Sequence, residues 1–263
     1  MKKYKLYGGK KMQNKKSLKI LSVGNSFAVD TTEHAPKVAL DLGFESVRMG
    51  TLYIGGCSIK RHSANARADA KAYEYYVSDG GEWSRTSGIS IAEAIKSDDW
   101  DIISIQHGTG DGSRYTLESS YEELPYLVGY IKSLAPEKTK IAFNMAWVME
   151  PDGDHHEIRS YNGDQLAMYK NLVSLTDRVV KPCVDIVSPV GIAVQNARAS
   201  GDFGCLCRDG FHLSYTHGRY IAALTFLGAL TGAELEDVSF APEGVSAAER
   251  LTAIKCAKKA IGK

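Results

Sequence analysis

The stretch LKILSVGNSF, residues 18–27, decides how this chain folds. Its first six residues form the kind of apolar run that is typical of a buried β-strand, and Gly24, Asn25 and Ser26 follow where that strand ends. Gly24 permits a tight turn there. A serine in such a turn can point its hydroxyl into a crevice, or it can instead cap the helix that follows. Position alone leaves both interpretations of Ser26 open.

The rest of the chain continues the alternation of short apolar runs and longer segments with helical spacing. The later strand-like runs lie at 47–54, 101–105, 140–146 and 184–187. Strands separated by crossover helices predict a parallel sheet that is covered on both faces. We therefore predict an α/β fold with three layers, α/β/α, and a mostly parallel central sheet in one domain over residues 18–263. Residues 1–17, rich in lysine and without an apolar run, are predicted to be a disordered basic tail.

Composition and charge argue against several classes of function. The 32 lysines and arginines nearly cancel the 31 aspartates and glutamates, so no overall positive field draws the chain to nucleic acid. No apolar run is long enough for a membrane span or a secretory signal. We predict a small-molecule partner, no nucleic-acid or membrane partner, and a cytoplasmic location by default, with export not excluded. The sequence leaves the oligomeric state open.

Ligands of such sheets bind at the carboxyl ends of the strands, so the residues that follow the strands are the candidates for chemistry. Gly55 and Gly56 follow the second strand, and their backbone amides could donate to a developing negative charge or serve only a turn. Gln106 ends the next strand and offers a side-chain amide donor. His107 could line a pocket or act in catalysis. The glycine spacing after His107 matches no phosphate-binding motif, which argues against a nucleotide site.

Near the end of the chain, RDGFHLS at residues 208–214 places a carboxylate three residues before an imidazole. In a turn, Asp209 can accept the Nδ1 proton of His212 and leave Nε2 as a base, although this spacing also occurs in purely structural roles.

A second polar cluster and the cysteines raise the question of a metal. Asp152, Asp154, His155 and His156 could hold a divalent cation, but no further ligand is identifiable elsewhere. The five cysteines lack the spacing of a disulfide framework or a zinc site, and free thiols are the simplest interpretation. We predict neither a metal nor an organic cofactor.

Taken in order, these segments resemble the SGNH (GDSL-like) hydrolase superfamily, and more closely a DUF4886-type bacterial group. The resemblance rests on GNSF, LYIGGCS, WDIISIQ, the tryptophan of NMAWVME, VQNAR and RDGFHLS. It implies a flavodoxin-like SGNH-hydrolase fold, with Ser26 as nucleophile and Asp209 and His212 as its acid–base partners. It also implies an oxyanion hole, to which Ser26 and Gly56 contribute backbone amides.

Two positions depart from the superfamily pattern. Asn25 stands where GDS proteins have aspartate, and Gly110 stands where the third block usually has asparagine. Acetylesterases of the sialate type begin that block with glutamine, so the resemblance favours Gln106 as the side-chain donor of the oxyanion hole.

The resemblance implies a serine esterase or deacylase that works through an acyl-enzyme. The ester, with O-acetyl as the first choice, is carried by a carbohydrate or another small substrate. Asn25, His107 and Trp147 are predicted to contact the substrate, although Trp147 fits core packing equally well. The alternative is a non-catalytic carbohydrate-binding or scaffolding protein with the same fold. Hydrolysis of a phosphodiester would need cations at the mouth of the site, for which Arg208 alone is a candidate.

Overall fold

The computed structural model describes residues 17–110 and 112–263. The predicted tail lies outside the described residues except for Ser17, which begins the first strand. The strands are β1 Ser17–Gly24, β2 Ser46–Tyr53, β3 Tyr73–Asp79, β4 Trp83–Ile89, β5 Ile102–Ile105, β6 Lys140–Asn144 and β7 Ile186–Ser188. They form one sheet in the order β4-β3-β2-β1-β5-β6-β7.

Helices connect most of these strands. They are α1 Ser26–Thr32, α2 Ala35–Asp41, α3 Ile59–Arg67, α4 Ile91–Lys96, α5 Leu124–Leu134, α6 His156–Arg159, α7 Gln165–Leu175, α8 Val190–Ser200, α9 His217–Thr231 and α10 Ala247–Ile261. In the described part of the chain, no helix is long and apolar enough to cross a bilayer.

The pairing of the strands confirms the prediction of a mostly parallel sheet. The strands β2, β1, β5, β6 and β7 pair in parallel, whereas β3 and β4 form an antiparallel hairpin that extends the sheet beyond β2. The hairpin joins the sheet through the antiparallel pairing of β3 with β2, and Tyr73 and Tyr75 of β3 are buried.

Two apolar cores confirm the three-layer arrangement. In β1, Leu18 and Ile20 belong to one core, which is shared with α2, α8, α9 and α10. Leu21 and Val23 of the same strand belong to the other core, under α3, α4 and α5. Because successive side chains of a strand point to opposite faces, the central strands are buried on both sides. The turns that follow the carboxyl ends of these strands carry the polar residues predicted from the sequence, among them Ser26 after β1 and Gln106 after β5.

Candidate active site

A crevice of about 350 Å³ opens where β1, β2 and β5 end. The turn after β1 contributes Asn25, Ser26 and Phe27. The turns after β2 and β5 contribute glycines and Thr109, and the far wall is made by His155 together with Phe211 and His212. The strand ends that the sequence singled out thus meet in one place.

Three of the predicted residues form a continuous chain of hydrogen bonds in this crevice. His212 Nε2 lies 2.8 Å from Ser26 Oγ, and His212 Nδ1 lies 2.6 Å from Asp209 Oδ2. An ionised carboxylate only accepts hydrogen bonds, so Nδ1 carries the ring proton and donates it to Asp209, and Nε2 is left to accept from the serine hydroxyl. The geometry is that of a nucleophile, a base and a group that orients the base.

The carboxylate of Asp209 is held in its ionised form by the loop around it. Partial burial would raise its pKa, but the hydrogen bond with the His212 ring and those from the backbone N–H groups of His212 and Phe211 outweigh burial, so the pKa of Asp209 is lowered. Oδ1 accepts those two backbone bonds at 2.7 and 3.2 Å. Oδ2 is thereby left for the imidazole.

Asn25, and not Ser26, caps helix α1. Its Oδ1 accepts the N–H of Phe27 at 2.9 Å, and its Nδ2 donates to the Cys57 carbonyl at 3.2 Å. An aspartate could make the first bond but not the second, because an ionised carboxylate has no donor. With asparagine in place of aspartate at position 25, the side chain therefore links the turn after β1 to the turn after β2 by a hydrogen bond. Asn25 lines the crevice, and both ends of its amide are used within the protein.

The backbone amides of Ser26 and Gly56 belong to residues that line the crevice. Among the described residues, the N–H groups of Ser26 and Gly56 donate to no acceptor. Gly56 has φ +63°, and a Cβ there would lie 3.1 Å from the backbone of Gly110. Only glycine fits this position without strain.

The structure does not bring Gln106 to the crevice. Its side chain is 1% exposed, is not among the lining groups, and packs beside Gly24. Neither end of its amide has a hydrogen-bond partner within the described residues. This placement does not support the predicted role of Gln106 as an oxyanion donor.

His107 and Trp147 also lie away from the crevice, contrary to the prediction that they contact the substrate. The His107 ring is buried between the carbonyls of Gly108 and Ser120, and burial lowers its pKa to about 4. Trp147 is fully buried, with its Nε1 donating to the Phe211 carbonyl at 2.6 Å. Both side chains hydrogen-bond to backbone carbonyls of loops next to the crevice and so help to hold those loops in place.

Asp30, one turn after Ser26 on α1, connects that helix to the loop that bears His212. The carboxylate is 1% exposed and accepts the Leu213 N–H at 2.9 Å. It also pairs with Arg208 at 3.1 Å and with Arg219 at 2.7 Å. Arg208 is therefore engaged with Asp30 and does not line the crevice, which removes the support for a phosphodiester substrate.

Sequence reasoning missed five side chains that line the crevice, namely Phe27, Tyr53, Thr109, His155 and Phe211. His155 belongs to the acidic and histidine cluster considered for a metal. Residues 17–110 and 112–263 contain no group of three or more His, Cys, Asp and Glu side chains that could hold a metal ion. His155 instead faces Thr109, a contact between distant loops that no local pattern marks.

Comparison with known proteins defines the relationship of the chain. The family model described as Domain of unknown function (DUF4886) matches residues 19–260. The chain belongs to the DUF4886 family. A crystal structure of a DUF4886 family protein from Bacteroides uniformis superposes with a TM-score of 0.87 at 32% identity, covering 93% of this chain and 95% of that one. No match is found among curated proteins.

More distant solved structures share the fold of this DUF4886 chain. A member of the lipolytic protein G-D-S-L family from Veillonella parvula has a TM-score of 0.52 at 15% identity, covering 81% of this chain and 98% of that one. A catalytic mutant of an acetylxylan esterase from Geobacillus stearothermophilus has a TM-score of 0.50 at 16% identity, covering 83% and 95%. The fold is thus the SGNH-hydrolase fold, as the sequence predicted.

Proposed function

We propose that this chain is a serine-dependent ester hydrolase that works through an acyl-enzyme. The observation that carries the proposal is the chain of short contacts from Ser26 Oγ through His212 to Asp209. A binding protein has no need of a base aimed at a serine hydroxyl, whereas acyl transfer requires one.

In this mechanism the Ser26 Oγ attacks the ester carbonyl while His212 Nε2 takes the hydroxyl proton. Asp209 holds the ring and stabilises the imidazolium that forms. The carbonyl oxygen becomes an oxyanion, which the free N–H groups of Ser26 and Gly56 stabilise. The alcohol leaves with the proton from His212. Water, deprotonated by the same imidazole, then attacks the acyl-enzyme. The bond to Ser26 Oγ breaks, His212 returns the proton to that oxygen, and the acid is released.

We propose an acetyl ester of a carbohydrate as the substrate class. The crevice is small, and Tyr53 and Phe211 give it aromatic walls of the kind that pack against the apolar face of a sugar ring. An acetylxylan esterase that shares the fold is consistent with this class.

The proposal is tested by assaying the full chain on p-nitrophenyl acetate and on a panel of acetylated sugars, with Ser26→Ala beside it. We expect turnover by the wild type that is absent from the variant, and acetylated sugars as the better substrates. A Ser113→Ala variant, altered outside the crevice, should behave as the wild type. Equal background rates for all three proteins would contradict the proposal and favour a binding protein of the same fold.

A further inference from the structure

The wall of the crevice beside Gly56 is formed by Thr109. The neighbours of Thr109 are fixed by two backbone bonds, from the Gly110 N–H to the Gly56 carbonyl at 2.6 Å and from the Gly108 N–H to the Cys57 carbonyl at 2.9 Å. A Cβ on Gly56 would lie 4.0 Å from the carbonyl carbon of Thr109. Thr109 is thus held next to Gly56, whose N–H has no acceptor among the described residues, and the half-buried Thr109 side chain lines the crevice.

The direction of the Thr109 hydroxyl proton follows from its contact with His155. His155 Nδ1 accepts the N–H of Glu157 at 3.2 Å, at the start of α6. In a neutral ring the proton is then on Nε2, which lies 3.2 Å from Thr109 Oγ1 and donates to it. Burial is the main reason that the pKa of His155 is lowered to about 4, so the ring is neutral near pH 7.

With an oxygen lone pair of Thr109 engaged by His155, the hydroxyl proton is free for another acceptor. No other hydrogen bond of this hydroxyl occurs within the described residues. Gln106, the side chain expected in this role, is buried out of reach of the crevice.

We propose that Thr109 is the third oxyanion donor of this site, and that His155 is a positioning residue that fixes the direction of its hydroxyl. The inference rests on the proposed acyl-transfer reaction and assigns the side-chain donor that the reaction lacks. A hydroxyl that shares its lone pair with an imidazole N–H is a better donor through its own proton, because hydrogen bonds in a chain polarise one another.

The test compares Thr109→Val, which keeps the shape and removes the hydroxyl, with Thr109→Ser, which keeps the hydroxyl. We expect kcat for p-nitrophenyl acetate to fall by about 10²- to 10³-fold in Thr109→Val with KM little changed, because oxyanion donors act in the transition state. Thr109→Ser should retain activity within a few-fold of the wild type. Thermal melting of both variants checks that the fold is intact.

The positioning role of His155 is tested with His155→Asn, since the asparagine Oδ1 can still accept the Glu157 N–H while its side chain no longer reaches Thr109. We expect kcat to fall in His155→Asn, and to fall no further in the double variant with Thr109→Val than in Thr109→Val alone. A further fall in the double variant would overturn the assignment of His155 as acting through Thr109.

The failure of this inference is distinguishable from the failure of the proposed function. If the wild type hydrolyses the ester in a Ser26-dependent manner and Thr109→Val does so equally well, the assignment of Thr109 is wrong and the reaction stands. If the wild type shows no Ser26-dependent hydrolysis, both proposals are wrong.

Discussion

Replacing His212 with glutamine is expected to lower kcat for p-nitrophenyl acetate by at least about 10³-fold, and replacing Ser26 and His212 together is expected to lower it no further. The reason is that the 2.8 Å contact between Nε2 and Oγ makes the two side chains one functional unit. Without the imidazole the hydroxyl keeps its proton, and without the hydroxyl the imidazole has nothing to activate. Initial rates of the two single variants and the double variant measure this directly.

A matched control for this experiment is His217→Gln, since His217 pairs with Glu249 at 3.1 Å and does not line the crevice. The control should retain the wild-type rate and melting temperature. A double variant whose rate falls by the product of the two single effects would contradict the account, because it would show that Ser26 and His212 act independently.

Replacing Asp30 with asparagine is expected to lower the free energy of unfolding by about 3–5 kcal/mol, the cost of breaking a buried ion pair by removing one partner. Asp30 is 1% exposed, and the side chains of Arg219 and Arg208 are 12% and 24% exposed. Removing the carboxylate charge leaves the Arg208 guanidinium without this anion, and it leaves Arg219 with the more distant Glu33 carboxylate at 3.5 Å. The Leu213 N–H also loses a charged acceptor.

Urea denaturation measures this change as a shift of the midpoint at constant slope. Asp99→Asn is the matched control, because Asp99 forms an exposed ion pair with Lys138. Exposed pairs of this kind contribute about 0–1 kcal/mol, so the control should unfold close to the wild type. A loss of less than about 1 kcal/mol in Asp30→Asn would show that the Asp30 pairs do not hold α1 to the loop that bears His212.

Local patterns were enough to predict the residues that meet at the serine. Ser26 comes just after a buried strand, and Asp209 and His212 are only three residues apart. The position of each of these side chains therefore depends on the few residues around it. The order of strands and helices likewise follows from alternating apolar runs, and the structure confirms the α/β/α layers and the mostly parallel sheet.

The side-chain donor could not be predicted in the same way. Gln106 directly follows the last residue of β5 and still donates its N–H to the Val23 carbonyl of β1, and the side to which its side chain points depends on the strand pleat. Thr109 comes after the strand, where direction is set by the backbone bonds that Gly108 and Gly110 make to a loop about 50 residues earlier. Its partner His155 lies in another loop, 46 residues later in the sequence, so no short-range pattern predicts the contact between the two side chains.

Asp30 escaped prediction for a related physical reason. In the sequence it is an acidic residue on a helix, a type of position that is exposed in most proteins. It is buried here because Arg208 and Arg219, close to 180 and 190 residues later, supply the opposite charges.

Covalent labelling of the full chain with a fluorophosphonate tests the central claim most directly, because the reagent reacts with a serine hydroxyl that a neighbouring base has activated. Peptide mass spectrometry is expected to find one adduct, on Ser26, which is lost in Ser26→Ala and strongly slowed in His212→Gln. An unmodified Ser26 after prolonged exposure, or equal labelling of the wild type and Ser26→Ala, would contradict the assignment of Ser26 as the nucleophile.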